Sequence, residues 1–188
     1  MSKETKKAVK FFLLPDYEQE ERYLTEMHKN GWKLAKINGF VYTFEKCNPE
    51  NVVYRLDFAE NKETDMQAYV AMFGEYGWEY IQDVNDYSYF RKRADGLGKE
   101  ETELFSDIES RLEMMKRIIN TKLMPVWVIF LGILMPNFIK VMTHGYDDIP
   151  HHTVLTVLFT FLFVWYSYVL IHCHIAFSRL KKKYEKIN

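Results

Sequence analysis

Only two of the 188 residues are cysteine. Cys47 falls in an expected hairpin and Cys173 in an expected membrane span, so no disulfide framework is implied. Catalytic signatures are missing too. There is no Gly-x-Gly-x-x-Gly, no P-loop, no His-Glu-x-x-His and no nucleophile elbow, so no catalytic residue and no cofactor is expected. Met1 to Lys7 is followed by only a short apolar run, Val9 to Leu14, without a signal-peptide core or a small-residue cleavage site. Residues 1–122 carry 19 Lys/Arg against 23 Asp/Glu. This acidic balance lacks the clustered positive charge of a nucleic-acid surface, and no nucleic-acid partner is expected. Most telling is the stretch Thr153 to Ser178, which holds no Lys, Arg, Asp or Glu for 26 residues.

That stretch is one of two that organise the chain. The other, Leu123 to Ile139, is 17 residues long and lies between Lys122 and Lys140. A helix crosses a bilayer core in ~20 apolar residues, with a usable range down to ~17. The pair predicts a transmembrane helical hairpin over 123–178, with spans at 123–142 and 153–176. Lys116, Arg117 and Lys122 flank the first span. Arg179, Lys181, Lys182, Lys183 and Lys186 follow the second against Glu185 alone, which makes 179–188 a basic tail. The intervening loop has one Lys, with Asp147 and Asp148. Positive charge therefore predicts both termini in the cytoplasm and the loop outside, with the tail against an anionic leaflet of the cell membrane.

Residues 8–95 contain an internal repeat with an offset of 46. Gly31-Trp32 matches Gly77-Trp78, and Phe44-Glu45-Lys46 matches Phe90-Arg91-Lys92. Each unit (8–48 and 50–95) reads as strand, helix, strand, strand. In the first, Val9 to Leu14 is an apolar strand stopped by Pro15. Asp16 is placed to cap a helix that ends at Asn30-Gly31 in a left-handed turn. Asn38-Gly39 is the strongest hairpin signal, and Phe40, Tyr42 and Phe44 alternate on the return strand. In the second, Val52 to Phe58 is a strand, Thr64 to Gln67 fits a capping box, and Trp78 to Asp83 with Tyr87 to Arg93 closes the hairpin. The fold class predicted is α+β: duplicated β-α-β-β units forming an antiparallel sheet with two helices on one face. Residues 1–95 form this cytoplasmic domain.

Residues 96–122 follow as a linker and a charged stalk helix. Phe105, Ile108, Leu112, Met115 and Ile119 step by three and four, a heptad seam that predicts a homodimer through the stalk. No breaker separates this helix from the first span, where Pro125 and Pro136 are candidate kinks.

The residues Phe11-Phe12-Leu13, Asp16-Tyr17-Glu18, Asn30-Gly31-Trp32, Tyr42-Thr43-Phe44, Tyr54-Arg55-Leu56-Asp57 and Gly77-Trp78 carry a resemblance over nearly the whole chain. It is to an uncharacterised bacterial membrane family common in Firmicutes, with an N-terminal duplicated domain of unknown function. The resemblance implies an inner-membrane protein often encoded beside PadR-type regulators. It implies no activity and no site residue. In architecture alone, the doubled unit is similar to gyrase-inhibitor-like and haem-binding SOUL domains, which hold small apolar ligands between repeats.

Candidate sites follow from aromatic and histidine content. Trp32, Tyr42, Phe44, Tyr54, Trp78, Tyr87 and Tyr89 are candidates to line a ligand cleft, although aromatic filling of a small core and its strand pairs accounts for most such residues. The loop holds His144, Asp147, His151 and His152, weak candidates for a divalent metal, with a solvated polar loop favoured. His172 and His174 flank Cys173 near the inner end of the second span, an interfacial placement. Neither span carries a polar stripe, which argues against transport by this chain alone. The leading expectation is a membrane-anchored cytoplasmic sensor or adaptor that binds a small amphipathic ligand or a protein partner. The alternative is an accessory subunit of a membrane complex such as an exporter; an enzyme ranks third.

Overall fold

The structure is a computed structural model that describes residues 4–58, 66–85, 87–98, 100–104, 108–144 and 152–185. It divides into two compact units, Met1–Met114 and Met115–Asn188.

The first unit is α+β and repeats β-α-β-β twice. The first repeat is β1 (Thr5–Val9), a 3-10 turn (Leu14–Asp16), α1 (Tyr17–Lys29), β2 (Trp32–Asn38) and β3 (Val41–Lys46). The second is β4 (Val52–Phe58), α2 (Met66–Glu75), β5 (Glu79–Val84) and β6 (Tyr87–Arg93). Each repeat forms its own antiparallel three-stranded sheet, ordered β1-β3-β2 and β4-β6-β5. The return strand is central in both, with β3 pairing Phe44 to Leu34 and β6 pairing Phe90 to Tyr80. The expected sheet is thus divided into two. Edge strands β2 and β5 meet at a seam bridged by one side chain. The Gln82 amide accepts from the Ile37 N–H (3.1 Å) and donates to the Ile37 carbonyl (3.0 Å), in place of a strand ladder.

Both helices use the aromatic β6 strand, where Tyr87, Ser88, Tyr89 and Phe90 are all buried. Successive strand residues point to opposite faces. On one side Tyr89 donates to Glu20 of α1 (2.7 Å). On the other, Phe90 packs at a tilt against Phe73 of α2 (ring centroids 4.7 Å apart), in a cluster with Trp78, Tyr69, Tyr80 and Leu104. Full burial of a large apolar side chain such as Phe44 or Phe90 is worth ~1.5–3 kcal/mol.

Three local expectations are corrected. The first strand is Thr5–Val9, not Val9 to Leu14. It is an exposed lysine-bearing edge strand defined by pairing with β3, and the apolar run after it forms a loop and the 3-10 turn. Asp16 does not cap α1 with its side chain. Its carboxylate accepts from the Leu13 N–H (3.2 Å) and from the Gln19 amide (3.1 Å), tying the turn before the helix instead. The stalk helix is not continuous from Lys99: a 3-10 turn spans Glu100–Thr102, and the α-helix described begins at Ile108. The capping box at Thr64 lies outside the described residues.

From Ile108 the chain is helical without a break to His144, as α3 (Ile108–Ile118), α4 (Met124–Ile129) and α5 (Met135–His144), joined by two π-helical turns, Ile119–Leu123 and Phe130–Leu134. Each π turn ends just before a proline's first turn, Pro125 in one case and Pro136 in the other. A proline ring clashes with the carbonyl four residues back and removes a donor; a widened turn relieves both. In the second unit α6 (His152–Glu185) packs against α5, with Phe163 stacked on Phe138 (4.0 Å) and on Phe130 (5.3 Å). Leu170, Cys173, Phe177, Leu180 and Tyr184 are its buried stripe, stepping by three and four. The two helices long and apolar enough to cross a membrane are Leu112–Lys140 and Thr156–Tyr184.

Candidate functional site

The local sequence of α1 places its polar side chains where a helix in a small domain ordinarily presents apolar ones. Glu20, Glu21 and His28 are all buried, as is Leu24 between them. Their partners come from both repeats. Glu20 accepts from the hydroxyls of Tyr42 on β3 (2.6 Å) and Tyr89 on β6 (2.7 Å). Glu21 accepts from the Leu56 N–H (2.9 Å), and Thr25 from the Tyr54 N–H (3.2 Å). These two bonds occupy the outer edge of β4, which would otherwise expose unpaired backbone. His28 closes the row, with Nδ1 2.8 Å from the Tyr54 hydroxyl, itself an acceptor from the Leu34 N–H. Helix α1 therefore holds the repeats together through hydrogen bonds, and the seam between β2 and β5 has a cavity near each end.

The cavity at the hairpin tips is small, about 60 Å³. Tyr42, Tyr87 and Tyr89 line it, with Glu20 at the floor and Lys10 and Phe40 at the rim. Burial raises the pKa of Glu20 against the two tyrosine hydrogen bonds, which lower it. Burial and the adjacent Glu20 raise both tyrosines in turn, so their hydroxyls stay protonated donors.

The cavity at the Gly-Trp end is larger, about 400 Å³. His28, Lys33 and Cys47 enter from the first repeat, and Gly77, Glu79, Arg91, Lys92 and Arg93 from the second, with Glu50 and Val52 beside them. The left-handed turns shape this end: Gly31 at φ +83° and Gly77 at φ +79°. A Cβ on Gly31 would sit 3.1 Å from the Cys47 carbonyl oxygen, whose own N–H donates to the Gly31 carbonyl (2.9 Å). Arg91 grips Glu79 through Nε (2.7 Å) and a second guanidinium nitrogen, which holds the Glu79 carboxyl below its ordinary range. Burial, seconded by Arg91, lowers the pKa of His28. Nδ1 shares a hydrogen bond with the Tyr54 hydroxyl, and when that hydroxyl donates, the ring proton sits on Nε2.

Of the seven aromatic candidates, three converge on the small cavity: Tyr42, Tyr87 and Tyr89. Phe44 and Tyr54 are wholly buried and fill the core, Tyr54 also orienting His28. Trp78 belongs to the α2 cluster, with Lys92 over its ring, and Trp32 is half-buried beneath Lys6. In the stalk, Met115 is buried within one chain, and Leu112 and Ile119 are half-buried. Phe105, Asp147 and His151 lie outside the described residues, as do the side chains of Ile108, His144 and His152. Among the described residues no group of three His, Cys, Asp or Glu side chains is arranged to hold a metal.

Sequence reasoning named the tyrosines of the small cavity but missed Glu20 there, and it missed His28, Arg91 and Lys92 of the larger one. Glu20 and His28 look like solvated positions of a charged helix. Arg91 and Lys92 lie in the Phe-Arg-Lys half of the repeat match, directly after the buried Phe90. The signal was spacing: Glu20, Glu21, Leu24 and His28 step by one, three and four, one face of a helix.

No curated protein matches the chain, and no solved structure matches it. Residues 16–129, more than half of the chain, match the family described as "Protein of unknown function (DUF2812)", and they run from the Asp16 turn through the rest of the first repeat and all of the second into the first apolar helix: the chain belongs to the DUF2812 family.

Proposed function

We propose that this chain is a membrane-anchored sensor or adaptor whose duplicated domain binds a small molecule between its repeats. The observation that carries the reading is the 400 Å³ cavity lined by both repeats, a size within the range of small-molecule sites, in a chain that also has two membrane-length helices. Exposed apolar side chains along those helices, among them Val128, Ile133, Val157, Phe161, Val164 and Ile171, suit lipid as the surrounding medium. Basic residues beside both helices favour cytoplasmic termini in a two-pass inner-membrane protein. A bacterial source and a neighbouring PadR-type regulator, which the family resemblance implies, fit a sensing role. A ligand held by both repeats biases their mutual arrangement, because its contacts are lost when the seam opens.

The full-length protein in detergent, screened by thermal shift against anionic, zwitterionic and neutral amphiphilic small molecules, tests this reading. Stabilisation by one chemical class supports it. If the whole panel gives no shift and crosslinking in membranes captures a single membrane protein, the domain docks a partner instead. One observation favours that second reading: Val9, Phe11 and Phe40 form an exposed apolar patch, with the two rings 5.0 Å apart.

A further inference from the structure

We propose that the cavity at the Gly-Trp end is a binding site for a small organic oxyanion, a molecule with a phosphate or carboxylate head. This deepens the sensor reading and rests on it. Residues 1–122 are acidic overall, yet four cations, Lys33, Arg91, Lys92 and Arg93, gather at this one hollow against two carboxylates, Glu50 and Glu79. Lys92 is held by the Glu101 carbonyl (2.9 Å) and lies over the Trp78 ring, but the partners of the other three cations leave capacity for an anion. Lys33 meets Glu45 only at 3.9 Å, and Arg93 meets Glu50 at 3.9 Å and Asp95 at 3.3 Å with its side chain 71 % exposed. Arg91 is engaged in a fork on Glu79, which fixes the guanidinium at the cavity wall. Such an anchored fork suits a second oxyanion, because an arginine offers five donors, of which Glu79 takes two and the Tyr54 hydroxyl one.

His28 is the second, independent pointer. It is 95 % buried and lines the same cavity, and with its Nδ1 engaged by Tyr54 the ring nitrogen outside that bond is Nε2. A neutral donor there adds a hydrogen bond to an anion without adding charge. The volume of about 400 Å³ exceeds what a bare inorganic ion fills and leaves room for a short carbon body beside Val52. The hairpin-tip cavity is the internal contrast. It is about 60 Å³ and has a carboxylate at its floor, a site that repels the same ligand.

The test uses full-length protein in a neutral detergent at fixed ionic strength, with glycerol 3-phosphate and malonate as probes and glycerol as the uncharged control. Titration calorimetry gives affinity. Alkylation of Cys47 by N-ethylmaleimide gives occupancy independently, because this thiol borders the cavity and Cys173 is buried elsewhere. The expected result is saturable binding of at least one charged probe, none of glycerol, and slower Cys47 alkylation. The double variant K33Q/R93Q changes one half-buried and one exposed side chain, neither in the core, and should retain the fold while weakening binding at least tenfold. R91Q should abolish binding, and the K33Q/R93Q pair keeps the test decisive if R91Q does not fold. Phosphate or carboxylate as the preferred head is read from the two probes. No binding of either charged probe overturns the proposal, as does a K33Q/R93Q protein that binds as tightly as wild type. A neutral amphiphile that shifts the melting temperature where both charged probes fail leaves the sensor reading standing. A silent panel removes both.

Discussion

Helices α1 and α2 occupy the same place in the two repeats and do opposite work. Helix α2 is the more apolar by sequence, yet it covers one side of one sheet and leaves Met72 about half exposed. Helix α1 is rich in glutamate, yet its contacts reach β2 and β4, and Glu20, Glu21, Leu24 and His28 are buried on it. The difference shows that position in a duplicated fold is decided by which edges need partners, and hydrophobicity is a poor guide to it. Strand β4 has a free edge, and only side chains with acceptor oxygens, Glu21 and Thr25, can satisfy its N–H groups. A buried hydrogen-bond acceptor costs little when its partner is a backbone donor that would otherwise be unpaired.

The comparison breaks first at its apolar centre. Leu24 is fully buried on α1 between the two sheets, so Leu24→Ala should cost ~3–5 kcal/mol, whereas Met72→Ala on α2 should stay within ~0.5 kcal/mol. Denaturant unfolding of the full chain in detergent, followed by tryptophan fluorescence, measures both. Equal costs would show that α1 is no more central than α2. The next effect is polar. Glu21→Ala removes the acceptor of the Leu56 N–H, and an orphaned buried donor costs ~1–3 kcal/mol. Amide exchange should quicken at Leu56 more than at Arg55, whose N–H lies on the alternate side of the strand. Uniform acceleration along β4 would point to loss of packing instead.

The sequence carried the repeat and its punctuation well. Gly31, Gly39 and Gly77 all have positive φ, as the Asn-Gly and Gly-Trp pairs require, and β4 and β6 have the bounds expected. What could not be read depends on distant partners. Strand β1 exists because β3 has an open edge, and its Lys6 and Lys7 give no apolar alternation to find. The seam depends on Gln82, one polar residue in an otherwise ordinary strand. The basic cavity joins His28, Lys33 and Arg91 from three elements, none of which is unusual alone. Aromatic residues were visible in the sequence, but most are core, because rings fill space between sheets whatever ligand the domain takes.

Acid and base titration sharpen the contrast within α1 by sign. Glu20 has a raised pKa, chiefly from burial, so the folded state holds its proton more tightly than the unfolded chain. Its contribution is present below the unfolded value of about 4.5 and is lost as pH rises through the folded pKa. His28 has a lowered pKa, again chiefly from burial. Its contribution is present above the unfolded value near 6.5 and is lost as pH falls through the folded pKa. Glu20→Gln should therefore flatten the loss of stability on the alkaline side of pH 4.5, and His28→Gln should flatten the loss on the acid side of pH 6.5. Melting temperatures of the two variants across pH 4 to 8 decide it; parallel curves for variant and wild type would mean that neither group changes protonation on unfolding.

The finest distinction lies between the two Gly-Trp turns. Both glycines occupy the left-handed region, Gly31 at φ +83° and Gly77 at φ +79°, where an alanine costs ~1–2 kcal/mol on backbone grounds alone. Their surroundings differ. A Cβ at Gly77 meets only the Lys92 side chain at 3.6 Å, an ordinary contact with a chain that can move. A Cβ at Gly31 comes within 3.1 Å of the Cys47 carbonyl oxygen, which belongs to the turn linking the repeats. Gly31→Ala should therefore be the more costly of the pair, by an amount below ~1 kcal/mol if the linking turn relaxes. The excess has a further signature: displacement of the Cys47 backbone should change alkylation at Cys47 in Gly31→Ala and leave it unaltered in Gly77→Ala. Identical unfolding costs with unchanged alkylation would mean that the two turns are energetically equivalent copies and that the linking turn yields freely to the first.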